Sequence, residues 1–201
     1  MTETVWLSVA PQRSELVSFY KRDKPAEPAP VGSHYTMIQL GGGHLDPKVL
    51  PQRAVDVEDR RKKFGHLFTV NGYFCVTERA AAVLRQFDLG SGGLYPLEMV
   101  RHDGVTPVDG FFWALNFGAK KNALAMEDSR SVDGPNWRGN CTPELWVKDD
   151  DFAVTRAALE GADIWGDERV EEGFFVSPRL GQALHKAGLA KAFHLMRCRI
   201  V

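Results

Sequence analysis

The groups able to carry chemistry on this chain are few, and their spacing decides what they can do. The densest set lies in "VSPRLGQALHKAGL", Val176–Leu189, where Ser177 and His185 stand among basic residues. A serine nucleophile needs a base within hydrogen-bond reach and a site for the developing oxyanion. The local pattern argues for a simpler role. An apolar run, Phe174–Val176, leads into Ser177 at an N-cap position, and Pro178 follows at the first helical position, where its missing N–H costs nothing. Leu180, Ala183, Leu184 and Ala187 then recur at i, i+3, i+4, i+7 as one apolar stripe, and Gly188 supplies the stop. Ser177 reads as a cap, and His185 as a polar residue on the flank of a helix.

The other candidates are equally weak as chemistry. "GGGH" at Gly41–His44 lacks the Gly-Lys-Ser/Thr of a phosphate loop and reads as a turn. His34, His44, His66, His102, His185 and His194 contain no HExxH and no tight ligand spacing. There is no GxSxG elbow, and His102-Asp103-Gly104 reads as a turn. Cys75, Cys141 and Cys198 are far apart and odd in number, against a disulfide framework or a CxxC site. "DRRKK", Asp59–Lys63, is offset by neighbouring acids and lacks the interleaved aromatics of a single-strand platform. The expectation is a protein that is not an enzyme and uses no metal or cofactor.

The elements that would position these groups repeat. A hundred residues before the stretch above, the chain reads "YFCVTERAAAVLRQFDLG". Phe74 and Phe174, Val76 and Val176, Arg79 and Arg179, Leu84 and Leu184, and Leu89 and Leu189 are identical pairs at that one offset. Thr77 takes the place of Ser177, Gly90 ends the helix, and "LYPLEMV" matches the returning strand "AFHLMRCRIV", whose His194, Met196, Cys198 and Ile200 alternate to one side. Two related strand–helix–strand units follow.

Further strands are expected in "TVWLSV", "HYTMIQL", "HLFTVNGYFCV" with an Asn71-Gly72 turn, "GFFWALNF" and "PELWV". "KPAEPAP" reads as a Pro-rich loop and "DVEDRRKKFG" as a solvated loop or short helix. With few helices and no βαβα alternation, the class is α+β, with mixed, mainly antiparallel sheets. Residues 1–110 would form an N-terminal half and 111–201 a C-terminal half. The 201 residues are 44% hydrophobic and 25% charged with net charge −1, as in ordinary globular proteins that have no general affinity for nucleic acid or membrane. No apolar run is long enough to span a bilayer, and the first residues lack signal-peptide character, so a cytoplasmic location is expected.

Charge is nevertheless uneven. Thr142–Gly173 carries ten acidic residues against three basic, while the remainder has 16 acidic against 22 basic. Asp149, Asp150, Asp151, Asp163, Asp167, Glu168, Glu171 and Glu172, with Trp165 or Trp146 as an aromatic anchor, form the expected docking surface for a basic partner. Mutual repulsion should keep Asp149–Asp151 and Asp167–Glu172 in water.

The stretch "GADIWGDERVEEGFFVSPRLGQALHKAGLAKAFHLM" resembles the C-terminal part of a family of predicted bacterial immunity proteins of polymorphic toxin systems, formerly a domain of unknown function. The matching features are Ile164-Trp165, Val176-Ser177 with Leu180, Ala187-Gly188-Leu189 and Phe193. "FFWALNFGAKKNALAMEDS" is similar to the family's middle strand pair, with Glu127 and Ser129 near its end. The resemblance covers about the last hundred residues, and the chain up to Pro51 departs from it. Such a resemblance implies stoichiometric masking of a cognate toxin, basic and in many systems a nuclease. A small hydrolase or transferase using His102, Asp103 or His185 is the alternative, and a module that self-associates through a strand edge is a third reading.

Overall fold

The second capped stripe forms as its spacing requires. In the protein's structure, a computed structural model describing residues 3–13, 20–22, 32–56 and 65–201, Ser177 precedes a helix over Pro178–Lys186 and accepts a hydrogen bond from Leu180 N at 3.2 Å. Gly188 takes φ +69, which ends the helix at little cost. The Pro-rich loop and the charged run Asp59–Lys63 lie outside the described residues.

In chain order the elements are β1 (Val5–Ser8), β2 (Tyr20–Arg22), α1 (Gly32–Leu40), β3 (Arg53–Asp56), β4 (Leu67–Val70), β5 (Tyr73–Thr77), α2 (Glu78–Leu84), β6 (Gly93–Val100) and β7 (Phe112–Asn116). They continue with β8 (Val132–Asp133), β9 (Thr142–Pro143), β10 (Ala153–Val154), β11 (Ile164–Trp165), β12 (Phe174–Val176), α3 (Pro178–Lys186) and β13 (Leu195–Ile200). The class is α+β, with mainly antiparallel sheets. One sheet runs β2-β3-β6-β7-β5-β4, and its edge strands β2 and β4 come back into contact, so it is strongly curled. The other runs β10-β13-β1-β12-β11.

The duplication reaches beyond the two units that show it in sequence. In the order β3-β6-β7-β5-β4, the first pair is parallel and the other three antiparallel. The order β10-β13-β1-β12-β11 repeats those directions strand for strand. Each unit leaves a gap between its two parallel strands, and a third strand fills it antiparallel to both. In the first sheet that filler is β7, which follows the unit in the chain. In the second it is β1, which comes from the N-terminus. Leu7 therefore faces Phe175 on one side and Met196 on the other.

The two sheets share a core. Phe74 and Phe174, both fully buried, meet edge to face with centroids 5.7 Å apart, and Phe117 lies 5.9 and 5.3 Å from them. α2 packs on α3, and the equivalent first-turn arginines show their sense. Arg79 donates to the carbonyl of Ala187 at the end of α3, at 2.5 Å. Arg179 pairs with Asp163, which also receives the N–H of Asp88 just beyond α2. The helices are thus antiparallel, and Arg79 places its cation at the negative end of α3. A second cluster, with Leu7, Phe152, Trp165 and Phe175, fills the opposite face of the five-stranded sheet.

Two expected strands are something else. "HYTMIQL" belongs to α1, because helical spacing buries Tyr35, Gln39 and Leu40 together and leaves Met37 out. Gln39 Nε2 donates to Leu115 O at 3.0 Å, and Tyr35 stacks on Tyr73 at 4.5 Å, so docking on β5 and β7 decides the outcome over local propensity. "PELWV" is mostly a turn: Val147 N returns to Glu144 O at 3.2 Å, and only its first residue, Pro143, pairs as a strand together with Thr142. Thr77 does occupy the cap position of α2, but its hydroxyl bonds His66 Nδ1 at 2.8 Å instead of capping the helix.

Candidate protein-binding surface

The acidic region splits in the structure into interior and surface halves. Asp163, Trp165 and Asp167 are all fully buried, which corrects the expectation that they face a partner. Each has an interior task that its position in the sequence does not show. The Asp163 carboxylate accepts from Ser177 Oγ at 2.5 Å, from Arg179 Nε and Nη2 at 2.5 and 2.6 Å, and from Asp88 N at 2.8 Å. Burial pushes its pKa up, yet those hydrogen bonds together outweigh burial and hold it below the usual range. Asp167 accepts from Ala123 N and Leu124 N, both at 2.9 Å, and from Arg169, so it ties the segment after β7 to the second sheet. Trp165 stacks on Phe175 at 5.7 Å, with Lys121 Nζ 3.5 Å over its ring. Desolvation lowers the Lys121 pKa to about 8, against the pull of Asp163, Asp88 and Glu160.

Asp149, Asp150 and Asp151 are not free surface charges either. Asp149 accepts from Arg197 N at 2.8 Å, and Asp150 forks onto Arg197 Nε and Nη2 at 2.9 and 2.5 Å. Asp151 accepts from Lys148 N at 2.8 Å. Together they build the turn that fastens β13. These bonds hold the Asp150 carboxyl below its usual range, the Arg197 hydrogen bond foremost.

The surface half is built around β8 and β9. Asn136 Oδ1 accepts from Arg138 N and Asn140 N at 2.9 and 3.1 Å, which folds the connecting loop back on itself. Asn140 Nδ2 then donates to Glu171 at 3.0 Å, while Cys141 N bonds Arg169 O at 2.7 Å and Glu171 N bonds Cys141 O at 2.8 Å. The loop is thereby stitched to the segment holding Glu168, Glu171 and Glu172. Two grooves, about 350 and 510 Å³, run along this surface and share Glu172. The first is lined by Met37, Arg138, Glu168 and Glu171 among others, and the second by Asp133, Glu144, Leu145 and Trp146 among others.

Large apolar side chains concentrate here. Seven in the described residues are exposed, and four of them, Met37, Leu145, Trp146 and Trp137, line or adjoin these grooves, with Trp137 carrying Arg138 over its ring. Glu168 pairs with Lys120 and Glu171 with Asn140, and the cluster of exposed aromatic and apolar side chains beside them is the composition of a protein-binding surface. Of the predicted residues, Glu168, Glu171 and Glu172 come together in it. Met37, Asp133 and Trp137 were missed, because only tertiary contacts bring them to the acidic stretch that already holds Glu144 and Trp146. Of the two tryptophans in the acidic stretch, Trp146 is the exposed one.

The candidate catalytic groups are engaged elsewhere. Asp103 accepts from Val105 N, Thr106 N and Thr106 Oγ1, which lowers its pKa to about 2 and closes a turn. His185 lies against Trp6, centroids 4.6 Å apart. All three cysteines are buried with their thiols pushed up, Cys141 to about 11. Gly41–Gly43 forms the turn after α1, with Gly42 at φ +83 packed on the Lys120 backbone. Among the described residues no cluster of His, Cys, Asp or Glu could hold a metal, and no helix is long and apolar enough to cross a membrane. No protein-family model matches the chain, and no curated protein matches it significantly.

Proposed function

We propose that the protein is a bacterial immunity protein that neutralises a cognate toxin by stoichiometric masking, docking a basic partner against the grooves that meet at Glu172. The observation that carries the reading is the gathering of Met37, Trp137, Leu145 and Trp146 beside Glu144, Glu168, Glu171 and Glu172 on one loop-built surface. Apolar anchors within an acidic field fit a partner whose own surface is cationic, a nuclease cleft being one such surface. The charges set encounter rate and orientation, and the aromatics supply contact area. The resemblance in the last hundred residues supports the same role, with the cytoplasm as the place of action and no catalysis required.

The test is co-expression with the toxin encoded beside the gene, scored by cell survival and by co-purification. Wild type should protect and form a stable complex whose association slows as salt rises, since exposed charges are screened beyond about 8 Å at physiological ionic strength. Glu144→Lys with Glu172→Lys should cut the on-rate about tenfold or more without moving the melting temperature. Protection without complex formation, or a complex indifferent to both substitutions and to salt, would sink the masking surface.

A further inference from the structure

The five tryptophans of the chain are not equivalent. Four have a charged or ionisable partner within the molecule. Trp6 meets His185 at 4.6 Å, Arg85 lies 4.3 Å over Trp113, Arg138 lies 4.5 Å over Trp137, and Lys121 lies 3.5 Å over Trp165. Trp146 has none among the described residues and is 80% exposed. It does not sit on a loose loop, because the turn Glu144–Val147 is closed by its backbone hydrogen bond and pinned by the buried Val147.

Around that open ring the chemistry is one-sided. The groove beside it, about 510 Å³, is lined by Asp133, Glu144 and Glu172 and, among the described residues, by no lysine or arginine. Gln12, also in the lining, donates through Nε2 to the Pro143 carbonyl and so braces the strand before the turn. An open indole face beside three unopposed acids is complementary to one side chain above others. A guanidinium stacks flat on an aromatic face while its five N–H donors fork onto carboxylates and amide oxygens, whereas an ammonium is a compact charge with a tighter hydration shell.

We propose that the Trp146 groove is an arginine-binding site, which receives one arginine side chain of the protein partner between the indole face and the carboxylates of Glu144 and Glu172. This rests on the masking role proposed above and supplies the contact at its centre. A buried aromatic–arginine pair is a common source of interface energy, and here it also fixes the register of the partner along the groove.

The experiment uses the full chain labelled with ¹⁵N, its five indole N–H signals assigned by single Trp→Phe variants. Acetylated, amidated tetra-arginine is titrated in at low salt, with tetra-lysine and tetra-glutamate in parallel. The Trp146 signal should shift and saturate with tetra-arginine at a concentration several-fold below that needed for tetra-lysine, and should ignore tetra-glutamate. Glu144→Gln with Glu172→Gln should weaken arginine binding about tenfold, and Trp146→Ala should abolish it by calorimetry. Shifts at Trp137 without Trp146, equal response to lysine and arginine, or indifference to the double glutamine variant would each overturn the site. The two readings fail separately. A toxin neutralised as well by Trp146→Ala as by wild type removes the arginine site and leaves the immunity role. Arginine binding at Trp146 in a protein that protects against no neighbouring toxin does the reverse.

Discussion

Replacing Asp163 with alanine should be among the most damaging single changes available outside the apolar core. The substitution removes the acceptor of four hydrogen bonds, but their loss is unequal. Ser177 is 5% exposed, so its hydroxyl loses a partner it cannot replace from water, a cost of about 1–3 kcal/mol. The Asp88 N–H is only partly buried and can be hydrated at about 1 kcal/mol. The Arg179 side chain is 68% exposed and swings into solvent, so its share is discounted to under about 1 kcal/mol. The sum is about 2–5 kcal/mol, a large fraction of the 5–15 kcal/mol typical of whole domains. Arg179→Ala should cost less, about 1–2 kcal/mol, because the carboxylate keeps two donors.

The sign of the pH dependence follows from the lowered Asp163 pKa. In acid the unfolded state binds the proton more readily, so the stabilisation is complete above an unfolded value near 4 and drains away as pH falls through the folded value. Urea unfolding at pH 7 and at pH 3 measures both effects. The penalty of Asp163→Ala should be full at pH 7 and smaller at pH 3. A penalty under 0.5 kcal/mol at pH 7, or one that grows in acid, would refute the reasoning.

Two other outcomes bear on structure alone. Ser177→Ala should cost about 1–2 kcal/mol, since it removes both the Leu180 cap and a donor to Asp163, whereas Thr77→Ala should cost less because its hydroxyl serves His66; urea midpoints that reverse this order would show that the two caps are not used as described. Reversing Asp149, Asp150 and Asp151 to lysine should lower the urea midpoint visibly, because Asp150 at φ +67 and its fork onto Arg197 hold β13 in place; an unchanged midpoint would return those residues to the free surface.

What could be read from the sequence was what is local. Ser177-Pro178 and the stripe Leu180–Ala187 place a helix start within one residue, and Asn71-Gly72, with φ +48 and +83, forms the tight turn its composition calls for. The pairing Phe74 with Phe174 marked two units, yet nothing in either segment shows that β1 and β7 fill their gaps, since that depends on hydrogen bonding across more than 160 residues for β1. The acidic stretch misled for a related reason. Asp163 and Asp167 look like their exposed neighbours until Arg179, Asp88, Ala123 and Leu124 are brought beside them by the fold. Trp146 and Trp165 are alike by composition, and only the turn at one and the sheet at the other separate an open ring from a covered one.

The place of β1 also governs how this chain can be made. The sheet closed by β7 has all its described strands once residue 116 has been synthesised, and can assemble early. β1, made before every other described strand, can only be paired on both sides by β12 and β13, which end at Val176 and Ile200. At ordinary elongation rates of about 5–20 residues per second, some seconds pass between those two points. Throughout that interval Val5 and Leu7, fully buried at the end, belong to a strand with two open edges. The nascent chain must therefore be shielded or must move on quickly, and any pause in translation between β7 and β13 is when aggregation threatens most.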